Sequence, residues 1–232
     1  KHAQYIKSWL IGQKSLFNPK YAKKFTVFSS SFCNLNNLPP NVTPEHYPHL
    51  KRLVVDFSQS EVLELLEDFE WQHVELNQQT KELTFLQNSS ASLVTLKTAH
   101  PINVEQILRD VRNLRTLVLP HSQPLTESEF AMIENLSSLE HLEIALHQVS
   151  SLGSLSNLKR LKIKLIGVHA LVIPPLLALE HLDLSHDSTD MPIDLSKCPN
   201  ILEFHLQETK VQHLDSALYD LQRLRRLEWS RT

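Results

Sequence analysis

The residues best suited to chemistry come in pairs separated by one position: His73 and Glu75, His141 and Glu143, His181 and Asp183, Glu203 and His205. In an extended strand, residues two apart project from the same face. If their two segments are neighbouring strands, His181, Asp183, Glu203 and His205 form an imidazole–carboxylate set of the kind that binds zinc. The chain carries 13 histidines, however, and an exposed sheet of that composition brings such pairs together by accident. No metal ligand and no cofactor is assigned. A second group is basic: Arg160, Lys162 and Lys164 alternate along one segment, with Lys159 beside them. Acids flank it on both sides and aromatic stacking positions are missing, which argues against a nucleic-acid surface. There is no phosphate-cradling glycine loop, no nucleophile elbow and no Cys–His pair at a telling spacing. No catalytic residue is assigned, and the chain is not read as an enzyme.

What must position these groups is a repeated frame: an apolar residue, two variable ones, an apolar one, one variable, an apolar one. It reads Leu139–Leu142–Ile144, Leu158–Leu161–Ile163, Leu179–Leu182–Leu184, Ile201–Phe204–Leu206 and Leu224–Leu227–Trp229. Extended backwards, it finds Leu114–Leu117–Leu119, Leu93–Leu96–Thr98, Trp71–Val74–Leu76, Leu50–Leu53–Val55 and a degenerate Ala22–Phe25–Val27. Self-similarity at a fixed period, here about 22 residues, is the signature of a solenoid.

The unit resembles the leucine-rich repeat, L-x-x-L-x-L-x-x-N, over residues 22–232. The resemblance implies an α/β fold: a right-handed solenoid with a curved parallel β-sheet on its concave face and helices or 3₁₀ turns on its convex face. About ten repeats are expected over 22–232, preceded by a basic helical cap or linker over 1–21. One departure stands out. The family places an Asn in the ninth slot, where it hydrogen-bonds the backbone of neighbouring turns. Here that slot never holds Asn, and Pro101 and Ile166 cannot take over its bonds, so an irregular solenoid is expected.

On the convex side, Ser58–Glu61, Asn103–Gln106 and Thr126–Glu129 have N-terminal capping patterns, and Asp215 or Ser216 can cap a further segment. Helices are therefore expected after the strands near Leu50, Leu93, Leu114 and Ile201. The repeats after Leu139 and Leu158 lack such patterns and should pass through tight turns.

With the frame's apolar residues pointing inward, its third, fifth and seventh slots point outward, and same-slot residues of successive repeats become lateral neighbours about 4.8 Å apart. The third slot then runs His141–Arg160–His181–Glu203–Arg226, and the fifth runs Glu143–Lys162–Asp183–His205–Glu228. Such a charged ladder can simply keep an exposed sheet solvated. It also suits recognition, because regularly spaced side chains on a rigid sheet fit an extended partner. The candidate partner-binding residues are Arg160, Lys162, Lys164, His181, Asp183, Glu203, His205 and Arg226.

With 41% hydrophobic residues in 232, the chain can bury a core without disulfides, and no apolar run approaches a membrane span. Cys33 and Cys198 have no metal-ligand spacing, and the cysteine-rich caps of extracellular solenoids are missing. A reducing, intracellular location is expected: cytoplasmic, or the host cytoplasm for a bacterial effector. The sequons at Asn41, Asn88 and Asn135 are as frequent as chance allows. Residues 1–44 hold six lysines and no acid, so this end can rest against the acidic remainder or meet an acidic partner. The chain opens on Lys1 and reads as a mature chain or a fragment. Nothing after Leu224, Leu227 and Trp229 is available to cover the last strand. Either the natural chain continues past Thr232 or another molecule covers that edge, a homodimer through it being one form.

What the resemblance implies about function is a protein-interaction module with a protein partner. It would be the recognition part of a larger protein: a ubiquitin-ligase substrate receptor, an immune-receptor sensor or a bacterial effector. The alternatives are a substrate-selecting domain of an enzyme whose catalytic domain lies outside these residues, and a structural scaffold.

Overall fold

The computed structural model describes residues 27–29, 43–55, 66–79, 83–147, 152–153, 155–168, 172–186, 194–207 and 218–230. They fall into two compact units that divide after Asn113. In the first unit, β1 (Val27–Ser29), β2 (Arg52–Val55), β3 (His73–Leu76) and β4 (Thr95–Thr98) pair in chain order, all parallel. In the second, β5 (Thr116–Val118), β7 (His141–His147), β8 (Arg160–Ile166), β9 (His181–His186), β10 (Glu203–Gln207) and β11 (Arg226–Ser230) do the same. A short β6 (Pro124–Leu125) pairs with the second half of β7, whose first half pairs with β5. Successive parallel strands need a crossover between them, which the rest of each repeat supplies.

The frame sets the core. Along β8, Leu161, Ile163 and Leu165 are buried while the residues between them are not, and β9 repeats the alternation. Register stacks Leu142, Leu161, Leu182 and Phe204 side by side, all buried. A fully buried leucine contributes roughly 1.5–3 kcal/mol.

A further apolar position, three residues ahead of seven of the frames, is visible only in the structure. Tyr47, Val111, Leu136, Leu155, Leu176, Cys198 and Leu221 fill it, all buried. It closes a tight turn into the strand: the N–H of Leu139 donates to Leu136, that of Leu158 to Leu155 and that of Leu179 to Leu176. Cys198 is thus a core residue in a leucine's place, a free thiol whose burial pushes its pKa up.

Asparagines absent from the ninth slot stand instead just before three of the frames, where they make hydrogen bonds between neighbouring turns. Asn113 Nδ2 donates to the Ala91 carbonyl at 2.7 Å, Asn157 to Ser137 at 2.8 Å and Asn200 to Leu177 at 2.8 Å. Each ties the turn of one repeat to the turn of the repeat before it. These bonds therefore lie along the strand starts, where Pro101 and Ile166 do not interrupt them.

Two expected helices form with the expected caps. In α1 (Val104–Leu108), Asn103 accepts from the Gln106 N–H at 2.9 Å. Helix α2 (Glu127–Glu134) starts with a full capping box between Thr126 and Glu129. A 3₁₀ helix over Thr84–Ser89, which no capping pattern announced, precedes β4. Its buried Ser89 accepts from the Trp71 N–H at 2.8 Å and donates to the Phe69 carbonyl at 3.2 Å, holding the stacked Phe69–Trp71 pair. The helices expected after the strands at Leu50 and Ile201, and the cap over 1–21, lie outside the described residues.

The first repeat needs a correction. Its frame, Ala22–Phe25–Val27, puts Lys24 beside Arg52, whereas β1 pairs Val27 with Arg52 and Phe28 with Leu53. The pairing therefore sets Phe28, rather than Phe25, opposite Leu53. Phe25 and Phe28 let the sequence be read in either frame, and the pairing selects the later one.

Leu161→Ala should lower stability by about 2–5 kcal/mol, from lost transfer energy plus a cavity. Urea unfolding followed by tryptophan fluorescence checks it, and an unchanged midpoint would place Leu161 outside the core.

Candidate functional site

Strands β7 to β11 bring the sequence-derived candidates onto one face as three rows. His141, Arg160, His181, Glu203 and Arg226 are successive register partners, as are Glu143, Lys162, Asp183, His205 and Glu228. Lys164 sits between Ala145 and Ser185 in the third row. All eight candidate residues thus share the outward face of the second unit. A shallow depression of about 280 Å³ over its centre is lined by residues including His141, Glu143, Arg160, Lys162, His181 and Asp183.

The rows are only partly neutralised. Lys162 Nζ lies 2.8 Å from Glu143 Oε1, and His181 Nδ1 lies 3.1 Å from Glu203 Oε2. Arg226 pairs with Glu228, whose other oxygen is 3.6 Å from His205 Nε2. The side chains of Arg160, Lys164 and Asp183 make no hydrogen bond or ion pair with any described residue. The first unit contrasts with this. There Glu75 takes Arg52 at 2.9 Å and Lys97 at 3.8 Å across three strands, so both outward cations among the described residues of that sheet are committed.

His121, absent from the sequence-derived set, joins the face. After β5 the chain swings out through a turn at Pro120–Gln123 and returns as β6. The excursion carries His121 beside β7, with Nε2 3.5 Å from the Glu143 oxygen that Lys162 already holds. That nitrogen is inaccessible to solvent and has no hydrogen-bond partner. Burial holds the imidazole below its ordinary range. The opposing pull of Glu143 is offset by Lys162 and Lys164. The sequence signal for this residue is the long interval between the frames at Leu114 and Leu139, bracketed by Pro120 and Pro124.

The imidazole–carboxylate set does not converge. His181 faces Glu203 and His205 faces Glu228, and among the described residues no three His, Cys, Asp or Glu side chains gather where they could hold a metal ion. At the far end of the face, β11 is exposed along its whole length, with Leu227 42% and Trp229 46% exposed. No helix among the described residues is long and apolar enough to cross a membrane.

No protein-family model matches the chain, and no curated protein matches it in sequence. Solved structures do. Internalin C2 from Listeria monocytogenes aligns over 92% of this chain and 84% of its own, with a TM-score of 0.52 at 18% identity. An internalin F structure from the same organism aligns over 90% of this chain at 16% identity, with a TM-score of 0.48. This chain spans 62% of that structure. Internalins are leucine-rich repeat proteins. The likeness to internalin C2, together with one parallel strand per repeat in chain order, shows a leucine-rich repeat solenoid. At this identity it speaks of the fold alone.

His121 gives a pH prediction. The unfolded chain accepts a proton on this imidazole near pH 6.5, which the folded chain resists. Its contribution to stability is therefore complete above about pH 6.5 and is lost as the pH falls below that value. His121→Gln should lose less stability than the wild type between pH 7.5 and 5.5, measured by urea midpoints. Equal losses would show that this imidazole is not desolvated by the fold.

Proposed function

We propose that this chain is a protein-recognition module whose partner docks on the outward face of β7–β11, centred on β8. The observation that carries the reading is the uneven pairing of charge. Among the described residues, the outward cations elsewhere on the sheets have carboxylate partners, whereas Arg160 and Lys164 on β8 have none. A face built only to be solvated gains nothing from such an imbalance, because paired cross-strand charges contribute about 0.2–1 kcal/mol and unpaired ones contribute none of it. The depression beside these residues gives an incoming side chain somewhere to sit.

By analogy of fold, the module serves as the recognition part of a larger protein, as in ubiquitin-ligase substrate receptors, immune-receptor sensors and bacterial effectors. Cys198, kept as a thiol in the core, is in keeping with a reducing intracellular setting. A second contact is favoured by the exposure of Leu227 and Trp229: a further copy of the chain packing against β11. For that contact, Trp229→Ser should shift sedimentation towards the monomer at about 100 μM, well within the range of weak association. Unchanged sedimentation would remove it.

The test of the main reading is capture from lysate with wild-type chain as bait, followed by direct binding of the captured partner to Lys162→Glu/Lys164→Glu. The double reversal should weaken binding at least tenfold, about 1.4 kcal/mol, while the chain still unfolds cooperatively in urea with a stability loss of only about 1 kcal/mol from the Glu143–Lys162 pair. Retained affinity would move the site to the flanks of the solenoid or to the N-terminal lysines.

A further inference from the structure

The exposed last strand of the second unit is complementary to itself in one register. We infer, resting on the reading that a further copy of the chain packs against β11, that the two β11 strands pair antiparallel across a two-fold axis at Leu227. The two sheets then join into one, with both β7–β11 faces on the same side.

No described strand lies beyond β11. Arg226 donates its N–H to the Leu202 carbonyl on the β10 side. Successive strand residues send their backbone groups to alternate edges, so those of Leu227 face the open edge, a template for a further strand. Leu227 and Trp229 occupy inward slots that are buried in β10, where Phe204 and Leu206 hold them, yet both remain exposed. What they lack is an apolar neighbour across that edge.

Two-fold symmetry brings β11 against its own copy, so the residue on the axis defines the register. For the apolar flank to be covered, inward residues must meet inward ones and outward residues outward ones. An axis at Arg226 opposes Arg226 to itself, and an axis at Glu228 opposes Glu228 to itself; like charges directly opposite are destabilising. An axis at Trp229 sets Glu228 against Ser230 and gains no charge pair. An axis at Leu227 sets Leu227 against Leu227 and Arg226 against Glu228, twice.

In that register Leu227 and its counterpart exchange hydrogen bonds. Arg226 and Glu228 of opposite copies then form non-hydrogen-bonded pairs, whose Cα atoms stand about 4.5 Å apart. Within one chain the same two residues already pair, although they lie two positions apart along the strand, about 6.6 Å at 3.3 Å per residue. The second copy therefore offers each guanidinium a nearer carboxylate, while the other oxygen of Glu228 keeps its place 3.6 Å from His205. The rows also continue across the axis. Glu203 and Arg226 are followed by the second copy's Glu228, and His205 and Glu228 by the second copy's Arg226. A five-residue edge buries less than the roughly 800 Å² per partner of a standard interface, so the dimer is weak and these charges decide it. Its use is avidity, because two docking faces on one side engage a partner that repeats its epitope.

Sedimentation equilibrium of the 232-residue chain over about 10 to 300 μM, at about 50 mM salt, reads the association. Arg226→Glu and Glu228→Arg should each weaken dimerisation at least tenfold, since each puts like charges at both contacts. An equal mixture of these two variants should associate within about threefold of wild-type strength, because acids then meet cations at both contacts. The double variant Arg226→Glu/Glu228→Arg should regain the homodimer for the same reason. Where a reversal prevents folding, Arg226→Gln takes its place with an expected loss of about threefold, and an unchanged affinity overturns the register. Full-strength dimers in both single reversals overturn it too, as does a mixture that stays monomeric while each variant unfolds cooperatively in urea. The two readings fail separately. Loss of the dimer on Trp229→Ser without any response to the charge reversals keeps the second contact and removes the axis at Leu227. A wild-type chain that is monomeric throughout the range removes the contact itself.

Discussion

Every outward-facing group in the second unit owes its place to one backbone interaction, repeated strand by strand. The carbonyl just ahead of each strand accepts two consecutive N–H groups from the next repeat. Arg115 takes those of Glu140 and His141, Glu140 those of Lys159 and Arg160, and Lys159 those of Glu180 and His181. Glu180 and Leu202 continue the series to β10 and β11. This forked bond fixes where each strand begins relative to its neighbour. A slip of one residue would turn Lys162 inward and Leu161 outward along the whole strand. The asparagines two residues earlier reinforce the same point, with Asn157 and Asn200 tied to the preceding turns.

With register fixed at the strand starts, the outward slots are free to vary without loss of fold, and the two units use that freedom differently. In the first, Glu75 gathers Arg52 and Lys97 into a closed triplet. In the second, Glu143 gathers Lys162 and His121, and β8 is left with two cations that pair with no carboxylate among the described residues. Exposed pairs of this kind contribute at most about 1 kcal/mol, so the arrangement matters less for stability than for what it leaves unmatched.

Much of this was legible in the sequence, because strand periodicity is a direct consequence of backbone geometry. The frame at Leu139, Leu158, Leu179 and Ile201 places the strands and the outward rows in the order that the pairings show. The caps at Asn103 and Thr126 announce α1 and α2, since each leaves a side-chain acceptor three residues before an N–H that needs one. Three things were not legible. The displaced asparagines could not be seen because Asn113, Asn157 and Asn200 alternate with Ser and Ala at the same position in other repeats. The first frame was ambiguous because two phenylalanines three apart let either Phe25 or Phe28 take the middle apolar slot. His121 was not placed because it lies on an excursion between β5 and β6, outside the outward slots, where the long interval signals an excursion but only the pairing of both strands with β7 brings it to Glu143. Which charges would stay unmatched also depends on side-chain directions that a periodic pattern does not contain.

The central claim is that register places Glu143, Lys162 and Asp183 in line and binds the first two to each other while β8 keeps its other cations free. A double-mutant cycle with Glu143→Gln, Lys162→Met and the double variant, read from urea unfolding at pH 7.5 and low salt, tests this most directly. The account predicts a coupling of about 0.5–1 kcal/mol that shrinks in 1 M salt, with no comparable coupling between Glu143 and Lys164. Additive single-variant effects for Glu143 and Lys162, within about 0.3 kcal/mol, would contradict it.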